Sequence, residues 1–175
     1  MALFKVNSGC REQEVCGLKW EWENRFPELD LSVFVIPGEH VKNREPRVVI
    51  LNRLSRAVIE QVQGIHPEYV FTYGGKRLKK MNGTSWRDAR DRAGLPQVRV
   101  HDLQHTFGRR LRAAGVSFED RQDLLGHKSG KITTHYSQPE IENLVIAANK
   151  VCAPDGHNVA TMVILREKGS RLEVV

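Results

Sequence analysis

The feature of this sequence that most limits its fold is a succession of short helical segments, each with its own start and stop signals. The segment from His101 to Ala114 carries apolar residues at i, i+4 and i+8, and Gly115 follows it as a stop. Ser117–Leu125 begins with a capping serine, has an acidic residue at the capping-box offset, and ends at Gly126. These two neighbouring segments predict a pair of amphipathic helices.

The rest of the chain gives the same mainly helical pattern, interrupted by a few extended runs. The capping or first residues of the further predicted helices are Ser8, Asn52, Thr84, Thr133 and Pro139. Runs rich in Val, Ile and Phe or Tyr predict strands at Leu31–Ile36, Arg47–Leu51 and Tyr69–Tyr73. Pro37–Pro46 joins the first two as a hairpin with a long loop. The predicted fold class is mainly α with a small antiparallel β-sheet (α+β).

Composition excludes several classes of protein. The length of 175 residues suits one domain with a hydrophobic core. No apolar stretch approaches the ~20 residues that span a bilayer, so no membrane partner is expected. The three cysteines include no C-x-x-C pair, which disfavours disulfide scaffolds and zinc ribbons and favours a reducing cytoplasm. The formal net charge of +6 permits a nucleic-acid partner without requiring one.

Two histidines four residues apart, His101 and His105, raise the alternative of a zinc hydrolase. Side chains at i and i+4 share a helix face, and Asp102 could imitate the glutamate of the H-E-x-x-H motif. The sequence positions no obvious third ligand, and the acid is aspartate where that motif has glutamate. We therefore expect no metal, with one histidine either functional or buried and the other hydrogen-bonded.

A more specific pattern consists of five motifs in a fixed order. They are Ser8-Gly9-Cys10-Arg11-Glu12-Gln13-Glu14, Lys42 before the run Arg47–Leu51, His101-Asp102-Leu103-Gln104-His105-Thr106-Phe107, Leu124-Leu125-Gly126-His127 and Thr134-His135-Tyr136. This set resembles the tyrosine recombinases, the phage-integrase family, and the resemblance covers about Ser8 to Val151. The fold that it implies is the catalytic-domain fold of DNA breaking-rejoining enzymes.

The resemblance implies a catalytic role for each motif. Tyr136 would be the nucleophile that forms a 3′-phosphotyrosyl intermediate, and Arg11 would bind phosphate oxygens through its planar fork. His101 and His127 would donate to the same oxygens or move a proton. Lys42 would protonate the departing 5′-oxygen, although hairpin lysines are common and two arginines are its neighbours. Protein cations would stabilise the charge, so neither metal nor cofactor is implied.

Position 104 departs from the family pattern, because Gln104 stands where the family has its second arginine. Glutamine keeps a hydrogen-bond donor but loses the charge and the bidentate fork. Losing one preorganised donor to a transition state costs ~3 kcal/mol, or about 10²–10³ in rate. We expect an impaired site, and the alternative is an inactive remnant that binds DNA or pairs with an intact recombinase.

The resemblance also sets expectations for domains and location. Residues 1–152 are expected to form the catalytic domain, without the DNA-clamping domain that precedes it in the family. The tail 153–175 matches no motif, and two hypotheses stay open, exchange between protomers or a frayed end. The expected location is the cytoplasm of a bacterium, at the nucleoid, with the gene belonging to the host or a phage.

Basic residues outside the motifs are candidates for binding double-stranded DNA. One set is the loop that holds Lys76, Arg77, Lys79 and Lys80, and the other is Arg109, Arg110 and Arg112 on a predicted helix. A solvated loop or helix face is the alternative for both sets. The family assembles as a tetramer on DNA, so the resemblance also implies self-association.

Overall fold

The computed structural model describes residues 1–81, 83–127 and 137–152. The helices of this described part are α1 (Ala2–Ser8), α2 (Glu12–Cys16), α3 (Arg53–Val62), α4 (Thr84–Arg92), α5 (Asp102–Ala113), α6 (Phe118–Leu125) and α7 (Gln138–Asn149). The strands are β1 (Glu23–Phe26), β2 (Leu31–Ile36), β3 (Arg47–Ile50), β4 (Thr72–Tyr73) and β5 (Lys76–Arg77). The predicted α+β class is confirmed. The helix expected around Thr133–Tyr136 and the tail 153–175 lie outside the described residues.

Three of the strands form an antiparallel sheet in the order β1-β2-β3. Phe34 at its centre pairs with Glu23 on one side and with Val49 on the other. The predicted hairpin between β2 and β3 is confirmed, with residues 37–46 as its loop. Strand β1 was not predicted, because its sequence Glu-Asn-Arg-Phe holds a single apolar residue and shows no alternation.

The sheet lies between two hydrophobic clusters. Phe34 packs with Phe4 and Leu18 in one cluster, whereas the adjacent Val33 packs with Phe107 and Leu111 in the other. Successive residues of a strand point to opposite faces, so β2 contributes to both cores. Helices α1 to α3 thereby cover one face, and α5 to α7 contribute to the core on the other. The turns that follow α1 and α6 lie close together, because a Cβ on Gly9 would be 3.2 Å from the Leu124 carbonyl oxygen.

Two helices begin at the predicted caps. Asn52 accepts a hydrogen bond from the Ser55 amide at 2.9 Å, and Ser117 accepts one from the Asp120 amide at 3.0 Å. Ser137 forms a capping box at the start of α7, just before the expected proline. Local sequence therefore set these boundaries.

Two predicted caps are wrong. Ser8 does not begin a helix but ends α1, and Gly9 follows it in the left-handed region at φ 64°. A Cβ on Gly9 would lie 2.8 Å from the Phe107 ring, so the close packing of α5 also requires glycine there. The cap of α4 is Gly83 rather than Thr84, which becomes the first helical residue.

Among the described residues, no helix has both the length and the apolar content that a membrane span requires.

Candidate active site

Arg11 is fixed by two elements that are distant in sequence. It is the N-cap of α2, where its backbone amide donates to Glu14 Oε2 at 2.7 Å. Its Nη1 donates to Glu14 Oε1 at 3.0 Å, and its Nη2 donates to the carbonyl oxygen of Gly126 at 3.1 Å. The side chain is 26% exposed. Arg11 is thus anchored by α2 and by the turn after α6 while part of its guanidinium stays accessible.

His101 and His105 occupy the first turn of α5. Their rings are 4.4 Å apart between centroids in an edge-to-face arrangement. Burial, and then the charge of His105, lowers the pKa of His101, so its imidazole is neutral at pH 7. The Arg99 Nη2 donates a hydrogen bond to Asp102 Oδ1 at 2.8 Å. Within the described ranges, no group of three or more His, Cys, Asp or Glu side chains could hold a metal ion.

Gln104 lies on the same helix, with its side chain directed toward the end of α6. It is 4% exposed, and its Nε2 donates to the carbonyl oxygen of Leu125 at 3.5 Å. Its amide is therefore held by a long hydrogen bond across the α5–α6 contact. A neutral amide thus occupies position 104, where the resemblance implies an arginine.

His127 follows the left-handed turn at Gly126, where the backbone has φ 61°. Its backbone amide donates to the carbonyl oxygen of Gln122 at 3.0 Å, which fixes the backbone at position 127. Burial, followed by the charges of Arg11 and Arg47, lowers the pKa of His127. This imidazole is consequently neutral at pH 7 and can donate or accept a proton.

These side chains share one open groove between α5 and α6. The basic groove is defined here by Arg11, His101, Gln104, His105, Arg109, Arg112, Arg121 and His127. No carboxylate occurs among the described residues that line it. An anion that enters meets guanidinium groups and imidazoles, and the one carboxylate bonded to Arg11, that of Glu14, does not line the groove, so the groove is suited to phosphate.

Two of the predicted catalytic residues are not placed in this groove. Lys42 is exposed and lies in the β2–β3 loop, as the hairpin prediction required, but it is not among the residues lining the basic groove. Tyr136 lies outside the described residues. The structure therefore brings together Arg11, His101, Gln104 and His127.

The basic loop forms a small hairpin elsewhere on the surface. Lys76 and Arg77 make up strand β5, Lys79 and Lys80 follow it, and all four side chains are exposed. The Arg77 guanidinium lies 5.5 Å from the centre of the Tyr69 ring, which also contacts Lys19 at 5.7 Å. This cation–π contact fixes the base of the hairpin and leaves its lysines toward solvent.

The three arginines of α5 separate into two groups. Arg109 and Arg112 line the basic groove. Arg110 instead donates to the Val151 carbonyl oxygen at 2.6 Å and to Asn7 Oδ1 at 3.3 Å, which joins α5 to α1 and to the end of α7. Helical spacing separates position 110 from its neighbours, so only Arg109 and Arg112 remain candidates for binding an anion in the groove.

Sequence reasoning missed two residues near the site. Arg47, the first residue of β3, is 4% exposed and forms an ion pair with Glu14. A charged residue at the start of an apolar strand was the signal that could have identified it. His105 was considered as a zinc ligand and not as part of a phosphate site, although its i+4 spacing from His101 places both on one face.

Comparison with known proteins gives a consistent result. The model of the phage integrase family matches residues 1–143. The integrase of Salmonella phage P22 is 28% identical over 174 residues, which are 91% of this chain and 43% of that protein. Tyrosine recombinase XerA of Thermococcus kodakarensis is 28% identical over 159 residues, 86% of this chain and 54% of that protein.

A further relative extends the comparison. Tyrosine recombinase XerC of Rhodospirillum centenum is 29% identical over 154 residues, 82% of this chain and 43% of that protein. The chain spans about half the length of the curated relatives it matches. No solved structure matches the chain.

Proposed function

Since the chain belongs to the phage integrase family, we propose that it cleaves and rejoins DNA strands at specific sites through a 3′-phosphotyrosyl intermediate on Tyr136. The observation that carries this proposal is the convergence of Arg11, His101 and His127 on one groove without carboxylates. These residues come from three motifs, and the first is separated from the other two by about half of the chain. Residues 1–152 are the proposed catalytic domain.

The proposed reaction exchanges one phosphodiester bond for another. The Tyr136 hydroxyl oxygen attacks the phosphorus and loses its proton, the bond from phosphorus to the 5′-oxygen breaks, and a tyrosyl ester forms. Arg11 binds the non-bridging oxygens while His101 and His127 donate hydrogen bonds or move protons. Lys42 protonates the departing 5′-oxygen. Attack of a 5′-hydroxyl on the ester rejoins the strand without an external energy source, metal or cofactor.

Gln104 weakens this site in the proposed mechanism. Its amide is neutral and already donates to the Leu125 carbonyl oxygen. It can offer the phosphate one weak donor where an arginine would offer a charged fork. Slow cleavage, rather than a change of reaction, follows from this substitution.

The proposed partner is double-stranded DNA, and two basic surfaces support that choice. Arg109 and Arg112 extend the basic groove away from Arg11 along α5. Lys76, Lys79 and Lys80 supply a second exposed surface around the β4–β5 hairpin. Contacts of this kind bind the phosphate backbone and carry little sequence information. Self-association on DNA and action at the nucleoid complete the proposal.

The decisive experiment traps the covalent intermediate. A pool of nicked duplexes with randomised sequence is incubated with the protein, and adducts that survive detergent are isolated and sequenced. A nick beside the cleaved phosphate lets the short 5′-hydroxyl fragment diffuse away, so the adduct accumulates. We expect an adduct with the natural chain and none with Tyr136→Phe. An adduct that persists in Tyr136→Phe would contradict the assignment of the nucleophile.

The same assay distinguishes the enzyme from a DNA-binding remnant. A gel shift on the same duplexes measures binding independently of chemistry. Binding without any adduct, even after Gln104→Arg, would identify the chain as a module that binds DNA or pairs with an intact recombinase.

A further inference from the structure

Arg47 connects three segments that carry or adjoin the proposed site. Its Nη1 forms an ion pair with Glu14 Oε2 on α2. Its Nη2 donates to the carbonyl oxygen of Gly9 at 3.1 Å and to that of Leu124 at 3.3 Å. The first carbonyl precedes the Arg11 segment, and the second lies at the end of α6, shortly before His127. One guanidinium thus bonds both sides of the site at once.

Gly126 provides the space that this guanidinium occupies. A Cβ at position 126 would lie 2.7 Å from Nε, 2.8 Å from Cζ and 2.9 Å from Cδ of Arg47. Real Cβ atoms do not approach other atoms so closely, so with any larger residue at position 126 either Arg47 or the turn itself must shift. Nε is buried and has no hydrogen-bond partner among the described residues, which makes this contact purely steric. The glycine of the Leu-Gly-His motif is thereby tied to a residue on another element.

The same turn also bears on Arg11. The Gly126 carbonyl oxygen accepts from Arg11 Nη2 at 3.1 Å, and Glu14 bonds both Arg11 and Arg47. The two arginines therefore share a carboxylate on one side and the Gly126 turn on the other. Both anchors of Arg11 are thus also in contact with Arg47.

We propose that Arg47 is a positioning residue, which sets the places of Arg11 and His127 by holding the Glu14 carboxylate and the Gly126 turn together. Arg47 is 4% exposed, so it does not itself reach DNA. It is also the first residue after the loop that carries Lys42, so strand β3 fixes the base of that loop relative to the groove. This inference rests on the proposed function for its catalytic consequence, but its geometric consequence holds in the free protein.

The variant Gly126→Ala tests the proposal while leaving Arg47 in the chain. Alanine at position 126 also introduces backbone strain, because φ there is 61°. Gly115→Ala is the matched control: Gly115 follows a helix at a similar φ of 70°, and a Cβ added to it would meet no atom within 4 Å. Arg47→Lys is the second variant, since it keeps a charge for Glu14 but loses the planar fork.

Single-turnover formation of the covalent adduct is measured at saturating DNA in the Gln104→Arg background, well below the melting temperature of each variant. We expect Gly126→Ala and Arg47→Lys to slow the reaction about 10²-fold, the effect of misplacing a catalytic group by about 1 Å. DNA affinity should fall far less than the rate, because Arg47 itself is buried and the phosphate contacts outside this turn are kept. Gly115→Ala should match the parent in rate.

A spectroscopic measurement tests the geometry without DNA. The Nε–H signal of Arg47 in a ¹H–¹⁵N spectrum should exchange slowly with water, since this atom is buried. Gly126→Ala should speed that exchange and shift the signals of the His127 ring and of Arg11 Nε–H. Gly115→Ala should leave all three unchanged.

The two measurements separate failure of this inference from failure of the proposed function. If Gly126→Ala and Arg47→Lys react as fast as Gly115→Ala, Arg47 does not position the site. If no protein forms an adduct, the proposed function fails, and the spectra alone then test whether Arg47 positions Arg11 and His127. Unshifted His127 and Arg11 signals in Gly126→Ala would overturn the positioning role.

Discussion

At the scale of single residues, the site combines groups that charge differently with pH. Arg11 supplies a permanent charge, whereas burial lowers the pKa of both His101 and His127 below the usual value of 6.5. The imidazoles are therefore neutral near pH 7 in the free protein. A bound phosphate favours their protonated forms. The proposed binding of DNA is therefore expected to be coupled to proton uptake.

The sign of this coupling predicts stronger DNA binding at lower pH. Between pH 7.5 and 5.5 the affinity for duplex DNA should rise, because the bound state takes up protons that the free state lacks. Fluorescence anisotropy at constant ionic strength measures the change. His127→Gln should flatten the pH dependence, and His66→Gln, at a position outside the basic groove, should not.

The residue at position 104 predicts a gain of activity. Gln104→Arg restores a charged fork beside Arg11, and the loss of one such donor is worth ~3 kcal/mol, about 10²–10³ in rate. We therefore expect adduct formation on nicked duplexes to rise at least about tenfold. Gln104→Lys is the control, since it restores the charge without the fork and should gain less. Equal rates in Gln104→Arg and the natural chain would show that position 104 does not bind the phosphate.

At the scale of elements, buried polar side chains join helices that the sequence separates widely. Asn52 is fully buried, caps α3, and donates to the carbonyl oxygen of Ala148 at the end of α7 at 3.4 Å. Arg110 similarly joins α5 to the end of α7 and to α1. These contacts hold the helices around the sheet, so they maintain the groove indirectly.

Asn52 and Ser117 each cap a helix by accepting a backbone hydrogen bond, but their removal should affect stability differently. Asn52→Ala removes a cap and leaves buried groups unpaired, so it should lower the free energy of unfolding by about 2–3 kcal/mol. Ser117→Ala removes a cap at an exposed helix start and should cost only ~1 kcal/mol. Urea denaturation of both variants checks the difference. Equal losses would mean that the Asn52 bond to α7 contributes nothing.

The elements also show how far the sequence predicts this structure. Strands β2 and β3, helices α3, α5 and α6 and their stops follow local periodicity and capping, so they were predicted. Strand β1 was missed because it depends on pairing with β2 and has little apolar content of its own. Helix α1 was missed and Ser8 misassigned, because the stop at Gly9 reflects close packing against Phe107.

At the scale of the whole molecule, the net charge is modest, but the charged side chains are distributed unevenly over the surface. The formal charge is +6, yet the described residues lining the basic groove include four arginines and no carboxylate. The groove lining therefore carries more positive side chains than the net charge of the chain suggests. Such a surface should bind a duplex through several phosphates at once.

The groove arginines predict a salt-dependent loss of binding. Arg112→Gln should weaken binding about equally for all duplex sequences and reduce the slope of log K against log salt by about 1. Arg25→Gln is the matched control, because Arg25 is exposed on β1 and pairs with Glu23 instead of lining the groove. Titrations at several salt concentrations measure both slopes. An unchanged slope in Arg112→Gln would place the duplex elsewhere on the surface.

The sequence alone determined the fold class, most helix and strand positions, and the order of the motifs, because these depend on local periodicity, capping and residue type. Only the tertiary structure decided which side chains meet. It placed Arg11, Gln104 and His127 on one groove, turned Arg110 inward, and buried Arg47 against Gly126. The hydrogen bond between Arg11 and Gly126, for example, joins residues that are 115 positions apart. Only packing of both cores against the central sheet brings such residues together, and no local pattern encodes it.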